Sequence, residues 1–225
     1  MELNTYPLVC TRGVVLYPNQ EIVIDVGRET SVHAVENAQD NYDKKICLFS
    51  QIVLEEENPG VEDIYSVGTL CEVRHIRRFD NFLRVKFRGV KRVKLNNWIN
   101  GSLSDLAEVE ILESKKQDTV EEEALIRMIA DELDRMQGQD RFVTKEIVME
   151  ISKGMGGEFL SDKAVQGLPL DTERKQQYLE TLGINDRLMM LLQDMAKEKQ
   201  MSEVEQQINE TVKERIDQGQ KDYYL

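Results

Sequence analysis

An α+β fold, strands first and helices after, follows from two observations: the apolar period changes near residue 114, and the chain closes on a long, thin amphipathic stretch. Up to residue 113 the apolar residues fall in short runs of Val, Ile, Leu, Phe and Tyr bounded by turn formers, which is strand patterning. Ser114, Lys115, Lys116, Gln117 and Asp118 make a polar break, after which the period lengthens from two to about 3.6. The sequence therefore divides into a β domain over 1–113, a linker over 114–118, a helical bundle over 119–183 and a helical arm over 184–225.

Strands are expected over residues 6–10, 21–26, 45–53, 65–76, 82–88, 91–98 and 106–112. Between the second and third, Val32, Val35 and Ala38 lie at helical spacing and predict one helix over 28–41 resting on the sheet. Leu83, Val85 and Phe87 alternate with Arg84, Lys86 and Arg88, and Val93 and Leu95 with Arg92 and Lys94. An antiparallel pair is expected there, its apolar side chains buried and its basic ones in water. Arg88, Gly89 and Val90 are expected to turn the chain between those two strands, and Phe79, Asp80, Asn81 and Phe82 to turn it just before them.

In the second half Thr119 and Glu122 have capping-box spacing, and Glu121, Glu122 and Glu123 suit the positive end of a helix dipole. Leu125, Met128, Ile129, Leu133 and Met136 make the stripe of a first helix that ends at Gly138. A second helix is expected around Phe142, Val143, Ile147, Val148 and Ile151, a third over 158–166, and a fourth from Asp171 to Gly183. Asn185 or Asp186 is expected to cap the arm, whose seam runs through Leu188, Leu191, Leu192 and Met195 to Met201, Val204, Ile208, Val212 and Ile216. A seam so thin leaves a long helix marginal by itself in water, so the arm is expected to join this module to more protein beyond Leu225.

Composition narrows the class. The chain has 225 residues, 40% hydrophobic and 32% charged, which is ordinary for a soluble protein able to bury a core. Its longest apolar run, Leu188 through Leu192, is far shorter than the ~20 residues a membrane span requires, so no membrane partner is expected. The start lacks the basic and apolar regions of a secretory signal, and Cys10, Cys47 and Cys71 are odd in number and widely spaced. Both features fit a cytoplasmic protein with reduced thiols in its strands, a reactive thiol being the sharper alternative. The net charge is −13, yet residues 72–94 hold nine Lys or Arg against Glu72 and Asp80. One basic stripe on an acidic chain disfavours general nucleic-acid binding and leaves a weak local DNA contact open.

No catalytic constellation is legible. Phosphate-loop and nucleophile-elbow motifs are missing from the sequence, His33 and His75 are its only histidines, and Gly154, Gly156 and Gly157 follow a helix rather than a strand. Glu55, Glu56 and Glu57 lack the alternating ligand positions of a calcium loop. No catalytic residue, cofactor-binding residue or metal ligand is assigned. Contact residues are. Phe79 and Phe82 flank a turn, where exposed rings would suit an apolar segment of another protein, although packing back onto the sheet is the plainer reading. Met189, Met190 and Leu192 crowd the start of the arm, either docked or exposed as an adaptable apolar surface, and continuous apolar coverage favours docking. Arg84, Lys86 and Arg88 form a basic face, solvated on the plain reading and attractive to acidic segments or DNA on the sharper one.

A series of short motifs in a fixed order points to a family. Pro7-Leu8, then Arg12-Gly13-Val14-Val15-Leu16-Tyr17-Pro18, then Asp25-Val26-Gly27-Arg28-Glu29 with Ser31 and Ala38, resembles the opening of bacterial Lon protease N-terminal domains. Tyr65-Ser66-Val67-Gly68-Thr69, the Arg88-Gly89-Val90 segment, Leu168-Pro169-Leu170 with Lys175-Gln176 and Leu179-Glu180, and the closing Lys221-Asp222-Tyr223-Tyr224-Leu225 extend the resemblance over essentially the whole chain. Cys10-Thr11 departs from it where a second Pro-Leu is usual, and Arg88 where Glu is frequent.

The resemblance implies a PUA-like β domain followed by an α-helical bundle and a long C-terminal helix. It implies the substrate-recognising part of a cytoplasmic, ATP-dependent serine protease of AAA+ type, hexameric, that degrades misfolded and regulatory proteins. ATP, Mg and the catalytic Ser and Lys would belong to later modules of the full-length enzyme, so no position here inherits those roles. A free-standing PUA-like RNA-binding module using the 74–94 stripe is the alternative, and a purely structural oligomerisation arm is a third.

Overall fold

The structure, a computed structural model, describes residues 3–136, 149–150 and 153–223. Six strands, β1 (Leu3–Thr11), β2 (Glu21–Val26), β3 (Lys45–Ser50), β4 (Val67–Arg78), β5 (Leu83–Ile99) and β6 (Leu106–Leu112), form one sheet in the order β2-β5-β4-β3-β1-β6. β5 pairs with β6 as well, which closes β1, β3, β4, β5 and β6 into a barrel and leaves β2 on the outer half of the β4–β5 hairpin. β1 and β3 are parallel, and a parallel pair needs a crossover, here supplied by β2 and the helix α1 (Glu29–Asn41). The near-continuous apolar run of β3 places it at the centre. Ile46 and Leu48 pack toward Val35 and Ala38 of α1, and Cys47 and Phe49 pack into the barrel with Leu8, Leu70, Val93 and Val109.

The expected turn at 88–90 is not formed: β5 runs unbroken through it. Gly89 pairs with Cys71 and Lys91 with Leu70, so Val90 is a β-bulge, and the bulge puts Arg92 on the sheet face of Leu83, Val85 and Phe87 while Val93 enters the barrel. Arg92, expected in water beside Lys94, is consequently only 1% exposed. Gly89 serves a close approach instead of a turn. It exchanges hydrogen bonds of 2.9 Å with the 17–20 segment, Asn19 N–H to its carbonyl and its own N–H to Gln20 O, and a Cβ there would run into the Tyr17 carbonyl. Gly89→Ala is expected to lower stability by roughly 1–3 kcal/mol in urea unfolding, since backbone cannot yield as a side-chain tip can. An unchanged midpoint would contradict this account of the glycine.

Among the described residues four helices follow: α2 (Thr119–Met136), α3 (Gly157–Gly167), α4 (Thr172–Glu180) and α5 (Ile184–Tyr223). The cap of α2 is Asp118 rather than Thr119, its Oδ1 accepting from the Glu121 N–H at 2.8 Å. Glu122 reaches away from that cap and accepts the Gly157 N–H at 3.0 Å, tying α2 to the start of α3. Asp171 caps α4 by accepting from the Arg174 N–H at 2.7 Å. α5 begins at Ile184, ahead of both Asn185 and Asp186, and the Asn185 amide instead donates to Asp118 O at 2.9 Å and to Glu121 at 2.8 Å. The expected helix around Phe142, Val143, Ile147, Val148 and Ile151 lies outside the described residues, as do the Gly138 stop and the closing Tyr224 and Leu225.

The helical core gathers Leu125 and Ile129 of α2, Leu160 and Val165 of α3, Tyr178 of α4 and Leu188, Leu191 and Met195 of α5, and it takes in Val15 and Tyr17 from the strand half. Past Lys199, whose Nζ lies 3.0 Å from Glu132 on α2, the long helix leaves the body. Met201, Val204, Ile208, Val212 and Ile216 are each exposed on it. At ~1.5 Å per residue α5 extends about 60 Å. No helix among the described residues is long and apolar enough to cross a membrane.

Candidate functional site

A buried ionic cluster fixes the helices on the barrel and so sets the frame for every exposed surface. Because the bulge turns Arg92 onto the barrel face that the helices cover, its guanidinium meets Asp162 of α3 in a bidentate pair of 2.5 and 2.9 Å, and its Nε donates to Leu179 O at 3.1 Å. Arg187 of α5, also fully buried, lies 3.9 Å from the same carboxylate and donates to Ser161, Ser114 and the Thr181 carbonyl. The two arginines thus satisfy carbonyls at the C-terminal end of α4 that the helix itself leaves free. Burial first, and then the neighbouring Arg92, push the Arg187 pKa down to about 10. Tyr17 donates to Lys175 O at 2.7 Å and Gln176 to Val67 O at 2.8 Å, two further ties between the halves.

Phe79 and Phe82 do come together. The Phe79 N–H donates to Phe82 O at 2.9 Å to close the hairpin turn, and the rings stack at 4.6 Å with planes 12° apart. The guanidinium of Arg84 lies within 5.6 Å of both rings and that of Arg77 within 5.0 Å of Phe79, so each ring is half-buried under charge. The basic face is largely neutralised by neighbouring acids. Arg84 donates to both Asp25 oxygens at 2.7 Å, holding that carboxylate below its usual range, and Lys86 sits 2.6 Å from Glu21 with the same effect. Arg88 points to solvent.

Met189 is 42% exposed on α5, whereas Met190 and Leu192 are half-buried against the helical core. Leu192 also lines a groove between α2 and α5 with Met128, Glu132 and Lys199. Docked and exposed residues therefore alternate along this one stretch, and neither extreme describes it.

Sequence patterning missed a further apolar surface. Ile52 and Val53, expected inside a strand, and Leu54 just after it lie beyond the end of β3 and are 51, 46 and 42% exposed, with Val61 at 51% on the same connection. The loop is held in place: Gln51 donates to Val53 O at 3.0 Å and to Glu56 O at 2.9 Å, and Arg12 to Glu56 O at 3.1 Å. The available signal was the abrupt passage from Ile52, Val53 and Leu54 to Glu55, Glu56, Glu57, Asn58, Pro59 and Gly60, which ends a strand early. Burial pushes the Cys10 thiol up to about 12 and those of Cys47 and Cys71 further, which removes the reactive-thiol alternative. Among the described residues no group of three or more His, Cys, Asp or Glu is placed to hold a metal ion.

Comparison with known proteins supplies the identity. Residues 5–197 match the family model of the ATP-dependent protease La (LON) substrate-binding domain. The chain is 32% identical over 220 residues to a Lon protease of Brevibacillus choshinensis, covering 97% of this chain and 28% of that protein. It is 30% identical over 220 residues to the Lon protease of Escherichia coli K12, with the same coverage. It thus spans 28% of the length of these relatives. Its fold resembles the N-terminal domain of Mycobacterium avium complex Lon protease, with a TM-score of 0.69 at 18% identity over 86% of this chain and 98% of that one. The Lon N-terminal domain protein of Xanthomonas campestris superposes with a TM-score of 0.58 at 18% identity, covering 84% of this chain and 97% of that one. With strands and helices in that arrangement and residues 5–197 matched, the chain belongs to the family of Lon protease substrate-binding domains.

Proposed function

We propose that this chain recognises protein substrates for an ATP-dependent Lon-type serine protease, binding unfolded or damaged chains through exposed apolar side chains. The observation that carries this reading is the family match over residues 5–197. The exposed aliphatics at 52–54 and Met189 give it a chemical basis, on a body whose two halves are locked together. In this reading residues 1–113 and the bundle over 119–183 present the surface, and the arm over 184–225 leads to ATPase and protease modules of a cytoplasmic hexamer that uses ATP and Mg. Phe79, Phe82 and Leu192 join the contact surface with Met189 and Met190. The pairing of Arg84 with Asp25 and of Lys86 with Glu21 weighs against the basic face as a nucleic-acid site.

Fluorescence anisotropy across a salt series, with a chemically unfolded protein, its folded form and a short RNA, tests the reading. Preference for the unfolded form with little salt dependence is expected, because apolar contact is not screened. RNA binding that collapses with salt, without discrimination by folding state, would replace it with nucleic-acid binding. The variant carrying Ile52→Ser, Val53→Ser and Leu54→Ser is expected to weaken capture of the unfolded chain by roughly fivefold or more. Each substitution should change stability by no more than about 0.5 kcal/mol, since all three side chains are exposed. Equal capture by this variant and the parent would exclude the loop from the contact surface.

A further inference from the structure

The connection between β3 and β4 presents exposed apolar side chains on a fixed frame. Gln51 bridges Ile64 in antiparallel fashion, the Ile52 N–H donates to Asp63 O at 2.8 Å and the Tyr65 N–H to Ser50 O at 3.0 Å, so the neck of the loop is closed. Within it the Asn58 N–H donates to Glu56 Oε1 at 3.0 Å and the Gly60 N–H to Asp63 Oδ2 at 2.8 Å. Ile52, Val53, Leu54 and Val61 are exposed on this frame. A loop already held in one shape has little backbone freedom left to lose on meeting a partner, which favours docking on its apolar side chains.

Charge decides what docks there. Residues 51–64 hold five acids and no Lys or Arg. Glu56 and Asp63 fold the loop, whereas Glu55, Glu57 and Glu62 are exposed, accept no hydrogen bond and have no cation within 4.0 Å among the described residues. On the sheet, by contrast, Asp25 pairs with Arg84, Glu21 with Lys86 and Glu72 with Arg74. Arg12 and Arg28 direct their guanidinium groups to the carbonyls of Glu56 and Cys10 and to Gln51 Oε1, not to a carboxylate, and the loop stays net negative. Glu57 and Asp105 also line, with Arg28 as the one cation, a cavity of about 480 Å³ whose wall includes Val61 and Trp98. A Lys or Arg side chain, apolar along its stem and charged at its tip, matches such a wall. The net charge of −13 attracts the same kind of partner and repels acidic ones. We infer that the 52–62 loop docks apolar protein segments flanked by Lys or Arg, their apolar side chains meeting Ile52, Val53 and Leu54 and their cations meeting Glu55, Glu57 and Glu62. The inference deepens the reading of this module as protein-binding and rests on it.

Fluorescence anisotropy of the whole chain with labelled peptides tests it, an Ala-Leu-Val-Leu-Ala core being flanked on each side by two Lys, two Ser or two Glu. The Lys-flanked peptide is expected to bind roughly fivefold or more tightly than the Ser-flanked one, the gain of a few exposed ion pairs, and the Glu-flanked one most weakly. Raising salt to about 0.5 M should shrink that difference and leave the Ser-flanked affinity in place. The variant carrying Glu55→Gln, Glu57→Gln and Glu62→Gln breaks no hydrogen bond or ion pair of the free protein. It should keep the parent's urea midpoint and its affinity for the Ser-flanked peptide while losing the preference for Lys. The variant carrying Ile52→Ser, Val53→Ser and Leu54→Ser should weaken the Lys-flanked and Ser-flanked peptides alike. Equal affinities of the three peptides for the parent, a Lys preference that survives in the glutamine variant, or unchanged binding by the serine variant would each overturn the assignment. Capture of a chemically unfolded protein on the same preparation distinguishes the two levels: it persists if only the loop's selectivity is misassigned and is lost as well if the module does not bind proteins.

Discussion

Asp162→Ala is expected to lower the stability of this fold by roughly 3–5 kcal/mol, because it leaves two buried guanidinium groups without their shared counter-charge. Arg92 and Arg187 are 1% and 0% exposed at the side chain, so neither can recover its hydration without movement of the helices around it. Hydrogen bonds to Leu179 O, Thr181 O and the serine hydroxyls remain, but these are neutral acceptors and do not offset a second positive charge 3.9 Å from where the carboxylate was. The loss should appear as a lower urea midpoint with an unchanged slope if the whole chain still unfolds in one step. Removal of both charges of the main pair, as Arg92→Met with Asp162→Leu, is expected to be less damaging than Asp162→Ala alone, since no buried arginine then lacks a partner except Arg187. A single variant as stable as the parent would mean that water reaches the cluster and that the halves are held by apolar packing.

Much of this architecture is legible from residue patterning, and the failures share a cause. Strands such as Glu21–Val26 and Leu106–Leu112 have local signatures, period two between turn formers, and so does the helix of Val35 and Ala38. The buried role of Arg92 is not local. It depends on one extra residue, Val90, which changes the facing of everything after it, and on an acid seventy residues away. Gly89 looks like a turn residue because glycine is common to turns and to close backbone approaches, and only the position of Tyr17 decides between them. Phe79 and Phe82 were readable as a turn, though not as rings covered by Arg77 and Arg84. A cavity at the head of α1, lined by Leu8, Arg28, Val61, Trp98 and Asp105, was not readable at all, since these residues come from five separated segments.

Alkaline conditions are expected to unfold this protein well before any arginine in water would titrate. Cys47 and Cys71 are fully buried in the barrel wall, and burial raises both thiols far above their ordinary range; the Cys71 thiol also donates to Thr69 O at 3.3 Å, which only the protonated form can do. The folded chain therefore keeps both protons as pH rises, while the unfolded chain releases them near pH 9. Fewer protons are bound in the unfolded state, so stability falls with pH, by roughly 3 kcal/mol between pH 8 and 10 for the two groups together. Above about pH 10 the buried phenols of Tyr17 and Tyr178 act in the same direction, their ionisation also being disfavoured in the fold. Arg187 opposes them there, since its proton is held less tightly folded than unfolded. Urea midpoints at pH 8, 9 and 10 read the effect. The variant carrying Cys47→Ala and Cys71→Ala should start lower, from lost packing, and decline less over that interval. Equal declines in variant and parent would assign the alkaline loss to groups other than these thiols, the raised Cys10 thiol first and then the tyrosines.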